Sequence, residues 1–254
     1  MLFYFTGTGN SLYVAKQLDT ELVSIPQIIK NENLVFEAET IGVVFPTYGG
    51  QTPAMVQEFL EKATFKTEYL YLVATYGKDD TVVAERTTAL LKEMGKNVSY
   101  ANTVLMVDNY LPSFDMREQE AMDKNIDGQI AAIVEDIKNR KTFIKEATEG
   151  QRELYTNARK LFSENPHLLN GEQILITDKC NGCGICTKVC PMGIITVEDM
   201  KAKRVQETCQ YCLACAQNCP SKAITLKLRD NNPNERFRNE HVSLVEIINS
   251  NNQH

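Results

Sequence analysis

The chain has 254 residues, 43% of them hydrophobic and 24% charged, with a formal net charge of −6; this is an ordinary globular composition, long enough for one large or two modest domains. The acidic balance argues against a nucleic-acid partner, and no apolar run reaches the ~20 residues of a membrane helix. The opening MLFYFTGTGNS has neither the basic region nor the cleavage site of an export signal, so a cytoplasmic location is expected.

Residues 2–5 form a short apolar run that breaks at Thr6-Gly7-Thr8-Gly9-Asn10-Ser11, after which Leu12, Val14, Ala15 and Leu18 recur at helical spacing. That reads as strand, tight loop, helix. Residues 23–25 are a weak second strand, and residues 27–40 read as irregular and charged. Residues 41–45 are continuously apolar, as buried parallel strands are. They end in Pro46-Thr47-Tyr48-Gly49-Gly50, and Met55, Val56, Phe59 and Leu60 continue as a helix. Residues 69–75 repeat the pattern, ending in Tyr76-Gly77-Lys78. The next helix runs through Val82, Val83, Leu90 and Leu91, with Asp79 as its expected N-cap. Residues 98–107 are the last expected strand and close on Asp108-Asn109-Tyr110. This alternation predicts an α/β doubly wound parallel sheet.

Ile126, Ile130, Ile133, Val134 and Ile137 mark one face of a long helix over that sheet, and residues 152–162 read as a more polar connector helix. Breakers at Asn165-Pro166 and Asn170-Gly171 divide the chain. The expected units are residues 1–165, residues 172–228, and a tail of residues 229–254. The tail is polar and loop-like to residue 241, and residues 242–248 form a short helix with no role beyond surface packing. His167, His241 and His254 are scattered, and none reads as a ligand or base.

All eight cysteines fall in two runs, KCNGCGICTKVCP and TCQYCLACAQNCP, each C-x-x-C-x-x-C-x-x-x-C-P. Disulfides would require an oxidising compartment. Zinc sites would leave the third and fourth cysteines of each run unused. A four-iron cubane needs one thiolate per iron, three from one tight loop and one from outside it. The double run resembles the bacterial ferredoxin signature, in which the fourth cysteine of each run ligates the other cluster. The resemblance implies one [4Fe–4S] cluster on Cys180, Cys183, Cys186 and Cys219, and a second on Cys209, Cys212, Cys215 and Cys190. The amides around Asn181-Gly182 and Gln210-Tyr211 are the expected donors to cluster sulfur. Ile195-Thr196 recurs as Ile224-Thr225, so the repeat extends into short strands on either side.

The loop at residues 6–11 has the glycines and hydroxyls of a phosphate cradle, but no lysine for a P-loop and Leu12 where a dinucleotide motif wants Gly or Ala. Here the chain resembles the flavodoxin family, whose FMN-phosphate loop has the form T/S-x-T-G-x-T/S. The whole is similar to the EFR1-type flavodoxin–ferredoxin fusions. The resemblance implies strand order 2-1-3-4-5, a small α+β ferredoxin-like domain behind it, and an FMN site. FMN would contact Thr6, Gly7, Thr8, Gly9, Asn10 and Ser11 with its phosphate. Its ring would meet Pro46, Thr47, Tyr48, Gly49, Thr75, Tyr76 and Gly77, with Asn109 and Tyr110 along the flavin edge. Together the two sites predict an electron-transfer protein coupling FMN to two [4Fe–4S] clusters and serving a redox protein partner. A homodimer is one arrangement that would bring one chain's clusters to the other's flavin. The alternative is an FMN-dependent reductase acting on a small substrate, with the clusters as wiring; its only acid–base candidates are Tyr76, Asp108 and Tyr110.

Overall fold

The computed structural model describes residues 1–254, the side chain of Leu169 excepted. The strands are β1 Leu2–Tyr4, β2 Leu22–Ser24, β3 Val35–Glu37, β4 Thr40–Pro46, β5 Thr64–Lys66, β6 Tyr69–Tyr76, β7 Tyr100–Leu105, β8 Phe143–Ile144, β9 Ile174–Ile176, β10 Ile195–Glu198, β11 Lys201–Arg204 and β12 Ile224–Leu226. The helices are α1 Asn10–Leu18, α2 Ile25–Ile28, α3 Ala54–Lys62, α4 Val83–Glu93, α5 Met116–Glu120, α6 Ile126–Lys138, α7 Glu149–Glu164, α8 Ile185–Lys188, α9 Ala214–Gln217 and α10 Leu244–Asn251. Among the described residues no helix is long and apolar enough to cross a membrane.

The main sheet has six strands in the order β2-β1-β4-β6-β7-β8, every pair parallel. Its first five strands, counted along the chain, give the order 2-1-3-4-5 of flavodoxin-like doubly wound sheets. The apolar runs explain why these strands are central: Ile41, Val43, Val44 and Val73 are fully buried. The strand order reverses between β1 and β4, the switch point outside which such sheets bind ligands.

The strand expectations for this half are corrected at two places. Residues 27–40 are not irregular throughout: β3 pairs with β5 in a parallel ribbon. The cause is aromatic burial, since Phe36 stacks on Phe65 at 6.3 Å and tilts against Phe3 at 4.4 Å. Nor is β7 the last strand. The Phe143 and Lys145 amides bond to the Ser99 and Ala101 carbonyls, adding β8 as the edge. A two-residue strand is too short to show any periodicity.

Asp79 does not cap α4; the N-cap position is Val82, with no side-chain cap bond. The Asp79 carboxylate accepts from the Thr81 amide at 2.7 Å, forming a local turn that delays the helix. Asp80 is buried, pairs with Lys145 at 2.5 Å and accepts from the Thr103 hydroxyl at 2.7 Å.

The cysteine-bearing half carries two antiparallel pairs, β10–β11 and β12–β9. Ile194, Ile195, Leu213, Ile224 and Phe237 form its core, and Leu111 and Met116 reach into it from the parallel half.

Candidate functional site

A cavity of about 540 Å³ opens beyond the carboxyl ends of β1, β4, β6 and β7, within the size range of small-molecule sites. The residues expected to contact a flavin all line it except Gly9. Gly9 lies beneath the loop at φ 104°, as the N-cap of α1, and its amide donates to the Thr6 hydroxyl at 3.0 Å. The other polar side chains of this loop hold neighbouring loops together. Thr8 Oγ1 accepts from the Asn109 amide at 2.6 Å, Ser11 shares a hydrogen bond with Thr75 at 2.8 Å, and Asn10 donates to the Val107 carbonyl at 3.0 Å. The main-chain N–H groups of the first turn of α1 are therefore the donors best placed for an anion.

Deeper in, Thr47 Oγ1 is buried in the lining and, among the described residues, has no hydrogen-bond partner. Tyr48 packs edge-on against Phe5 with ring centroids 6.3 Å apart. Burial, reinforced by the Cys212 and Cys209 thiols, pushes its hydroxyl well above the usual tyrosine range. Tyr76 and Tyr110 are also raised, chiefly by burial. Asp108 lines the same cavity and accepts from the Tyr110 amide at 3.0 Å. Burial raises its carboxyl above the usual aspartate range, against the opposing pull of Lys124 and Lys78. Lys124 is itself depressed by burial and donates to the Met106 carbonyl and to Gln119, both at 2.9 Å.

Sequence reasoning missed part of this wall. Arg159 and Phe162, three apart on α7, line the cavity, so that helix is more than a connector. Their spacing on one face of a polar helix was the available signal. Cys209, Gln210 and Cys212 also line it, and the Gln210 side chain accepts from the Met55 amide at 3.1 Å. A second bond between the halves runs from Gln217 to the Asn109 carbonyl at 2.7 Å.

The cysteines fall into two neighbourhoods. Cys190, Cys209, Cys212 and Cys215 line one small, mostly apolar pocket. Burial and the Cys209 and Cys190 thiols push the Cys212 thiol up. Burial, reinforced by the neighbouring Cys219, Cys180 and Cys183, pushes the Cys186 thiol up to about 12. The Ala202, Tyr211 and Ala223 amides donate to the sulfurs of Cys180, Cys209 and Cys219, each at 3.3 Å. Of the two expected amide groups, Gln210-Tyr211 thus supplies a donor, whereas the Asn181 side chain accepts from the Cys183 amide at 3.3 Å. Cys183 is exposed, while Cys190 and Cys212 are buried. Among the described residues no three His, Cys, Asp or Glu side chains converge on a single-ion site. Cubane ligands need not converge, because each thiolate takes its own iron.

Residues 239–251 do more than pack on the surface. The Asn239 amide donates to the Thr8 carbonyl at 2.9 Å and its side chain to Asn10 at 3.2 Å. Asn251 donates to the Thr6 carbonyl at 2.9 Å. Helix α10 carries a Ser243–Glu246 capping box, and Glu246 pairs with Lys16 at 2.8 Å. Both faces of the loop are therefore accounted for: the cavity above, and the tail below.

A 4Fe-4S dicluster domain model matches residues 173–241. An uncharacterized ferredoxin of Methanocaldococcus jannaschii is 38% identical over 74 residues, 26% of this chain and 96% of that one. A component of the ion-translocating oxidoreductase complex of Methanosarcina acetivorans is 48% identical over 48 residues, which is 19% of this chain and only 18% of that protein. Among solved structures, a putative flavoprotein from Bacteroides uniformis aligns over 47% of this chain and 94% of its own, at 14% identity and a TM-score of 0.33.

Proposed function

The chain belongs to the 4Fe-4S dicluster ferredoxins through residues 173–241, and from that premise we propose that it is an intramolecular electron-transfer protein coupling FMN to two [4Fe–4S] clusters. One observation carries the reading: Cys209 and Cys212 line both the large cavity and the pocket of the second cysteine set. A flavin in that cavity would lie against the ligands of one cluster within a single chain, so a homodimer is not required.

The residues fit the groups. The free N–H groups at the start of α1 suit a phosphate. Thr47 Oγ1 is a buried polar atom awaiting a partner. The loops at Pro46–Gly49 and Thr75–Gly77 would hold the ring, with Asn109 and Tyr110 at its edge. When bound, FMN supplies a store of two electrons that can be filled or drained singly. The chain's own contribution is placement. Gly7 lets the loop approach Cys212, Arg159 and Phe162 of α7 add to the cavity wall, and Asp108 is a carboxyl whose affinity for a proton is raised by burial. Cys190, Cys209, Cys212 and Cys215 would hold the inner cluster, and Cys180, Cys183, Cys186 and Cys219 the outer one. The exposed Cys183 makes the outer set the face for a protein redox partner. The units would be residues 1–165, 172–228 and 229–254, the last serving the first.

Anaerobic reconstitution tests this: about eight irons and one FMN per chain are expected. Far fewer irons, with no flavin retained, overturns it. The second reading, an FMN-dependent reductase of a small substrate in a cytoplasmic setting, is favoured by the Asp108 carboxyl in the cavity wall, the acid–base group that such a reaction would need there. Turnover above that of free FMN with quinones or nitro compounds would establish it.

A further inference from the structure

Arg204 closes β11 and lines the pocket formed by Cys190, Cys209, Cys212 and Cys215. Apart from the cysteines and the Gln210 amide, the rest of that lining is apolar. The register of the hairpin fixes the position, with Arg204 opposite Ile195 and the Val205 amide bonded to the Ile194 carbonyl at 2.9 Å. Arg117, Arg140, Arg152 and Arg236 each pair with a carboxylate. Among the described residues Arg204 has no such pair, and its Nη1 is buried without a hydrogen-bond partner. Gly171 leaves the room it needs, since a Cβ there would stand 2.3 Å from Nη1.

A guanidinium nitrogen held out of water with neither a hydrogen-bond partner nor a counter-charge is disfavoured, and arginine cannot relieve the problem by losing its proton. A cubane held by four thiolates is net negative and gains one more negative charge on reduction. We propose that Arg204 is the counter-charge of the inner cluster and raises its reduction potential, so that electrons are drawn to the cluster beside the cavity. A fixed cation stabilises the reduced form more than the oxidised form, and net charge is one of the levers that set such potentials. The proposal rests on the two-cluster reading above.

The test is a potentiometric titration, followed by electron paramagnetic resonance, of the full chain reconstituted anaerobically. In Arg204→Gln, one of the two cluster midpoints is expected to fall by roughly 59 mV, a tenfold change in a one-electron equilibrium. The other midpoint and the iron content should stay. Arg204→Lys should recover most of the shift. Two loaded clusters with both midpoints unchanged overturns the proposal. Should Arg204→Gln fail to load the inner cluster, Gly171→Ala is titrated instead, since its methyl displaces the guanidinium without removing the charge. A lowered midpoint there supports the proposal and an unchanged one overturns it. A wild-type chain that loads fewer than two clusters would instead count against the two-cluster reading itself.

Discussion

Gly7 and Cys212 touch: a Cβ built on Gly7 would stand 2.8 Å from the Cys212 carbonyl oxygen and 3.2 Å from the Tyr48 hydroxyl. The loop expected to hold a phosphate thus lies directly against the loop of the inner cysteine set. Gly7→Ala should push the two apart by a few tenths of an ångström while each half keeps its fold. The expected result is full flavin and iron content with slower electron equilibration between them, read by rapid-mixing absorbance after reduction of the flavin.

Gly9 occupies a backbone region that a β-branched residue rarely enters, and a Cβ there would stand 2.9 Å from Asn239 and 3.0 Å from Val242. Gly9→Val should abolish FMN retention while cluster absorbance remains. Flavin fluorescence released from the purified protein and the visible cluster bands are the two readouts.

The Asn251 side chain braces the loop from below, so its loss should weaken phosphate binding selectively. Leaving the buried Thr6 carbonyl without its donor costs about 1–3 kcal/mol, and 1.4 kcal/mol corresponds to tenfold in affinity. Asn251→Ala should weaken FMN binding by about tenfold while riboflavin affinity hardly changes. Equal losses for both ligands would mean a general loosening rather than a phosphate effect. Flavin-fluorescence titration of the apoprotein measures the difference.

Cys190 lies in the first run but lines the pocket of the second. Cys190→Ser should therefore remove the inner cluster and spare the outer one, leaving about half the iron. Loss of the cluster around Cys186 instead would contradict the exchange of fourth ligands.

Burial raises Asp108 above its ordinary value, so the folded protein binds this proton more tightly than the unfolded chain does. The associated stability is fully present below the unfolded pKa of about 3.9 and is lost as pH rises through the higher folded value. Asp108→Asn keeps an acceptor for the Tyr110 amide and removes the charge. Its melting temperature should exceed that of the wild type at neutral pH, and the gap should narrow as pH falls. A gap independent of pH would place the effect elsewhere.

The parallel sheet was legible because its strands are buried on both sides and read as unbroken apolar runs such as residues 41–45. The cysteine runs were legible because ligand spacing is a local property of the chain. What escaped were relationships between distant segments. Phe143 and Ile144 form a strand only because β7 offers an open edge. Arg159 and Phe162 line the cavity only because the fold brings α7 beside strands that lie far from it in the chain. Asn239 and Asn251 look like ordinary polar residues until the fold buries them against a loop, and Arg204 does so until the fold sets it in the wall of a pocket of thiols. Asp79 illustrates the reverse error: a sound local rule was overridden by a turn to Thr81, while its buried neighbour Asp80 was taken into a pair with Lys145.

The bond from Asn251 to Thr6 closes a separation of 245 residues. During synthesis the first strand and its loop leave the ribosome early, but their lower brace emerges only after both cysteine runs. The wall of the cavity at residues 6–11 is therefore braced only once the cysteine runs are already outside the ribosome, so the ferredoxin unit has the opportunity to fold before the cavity is complete.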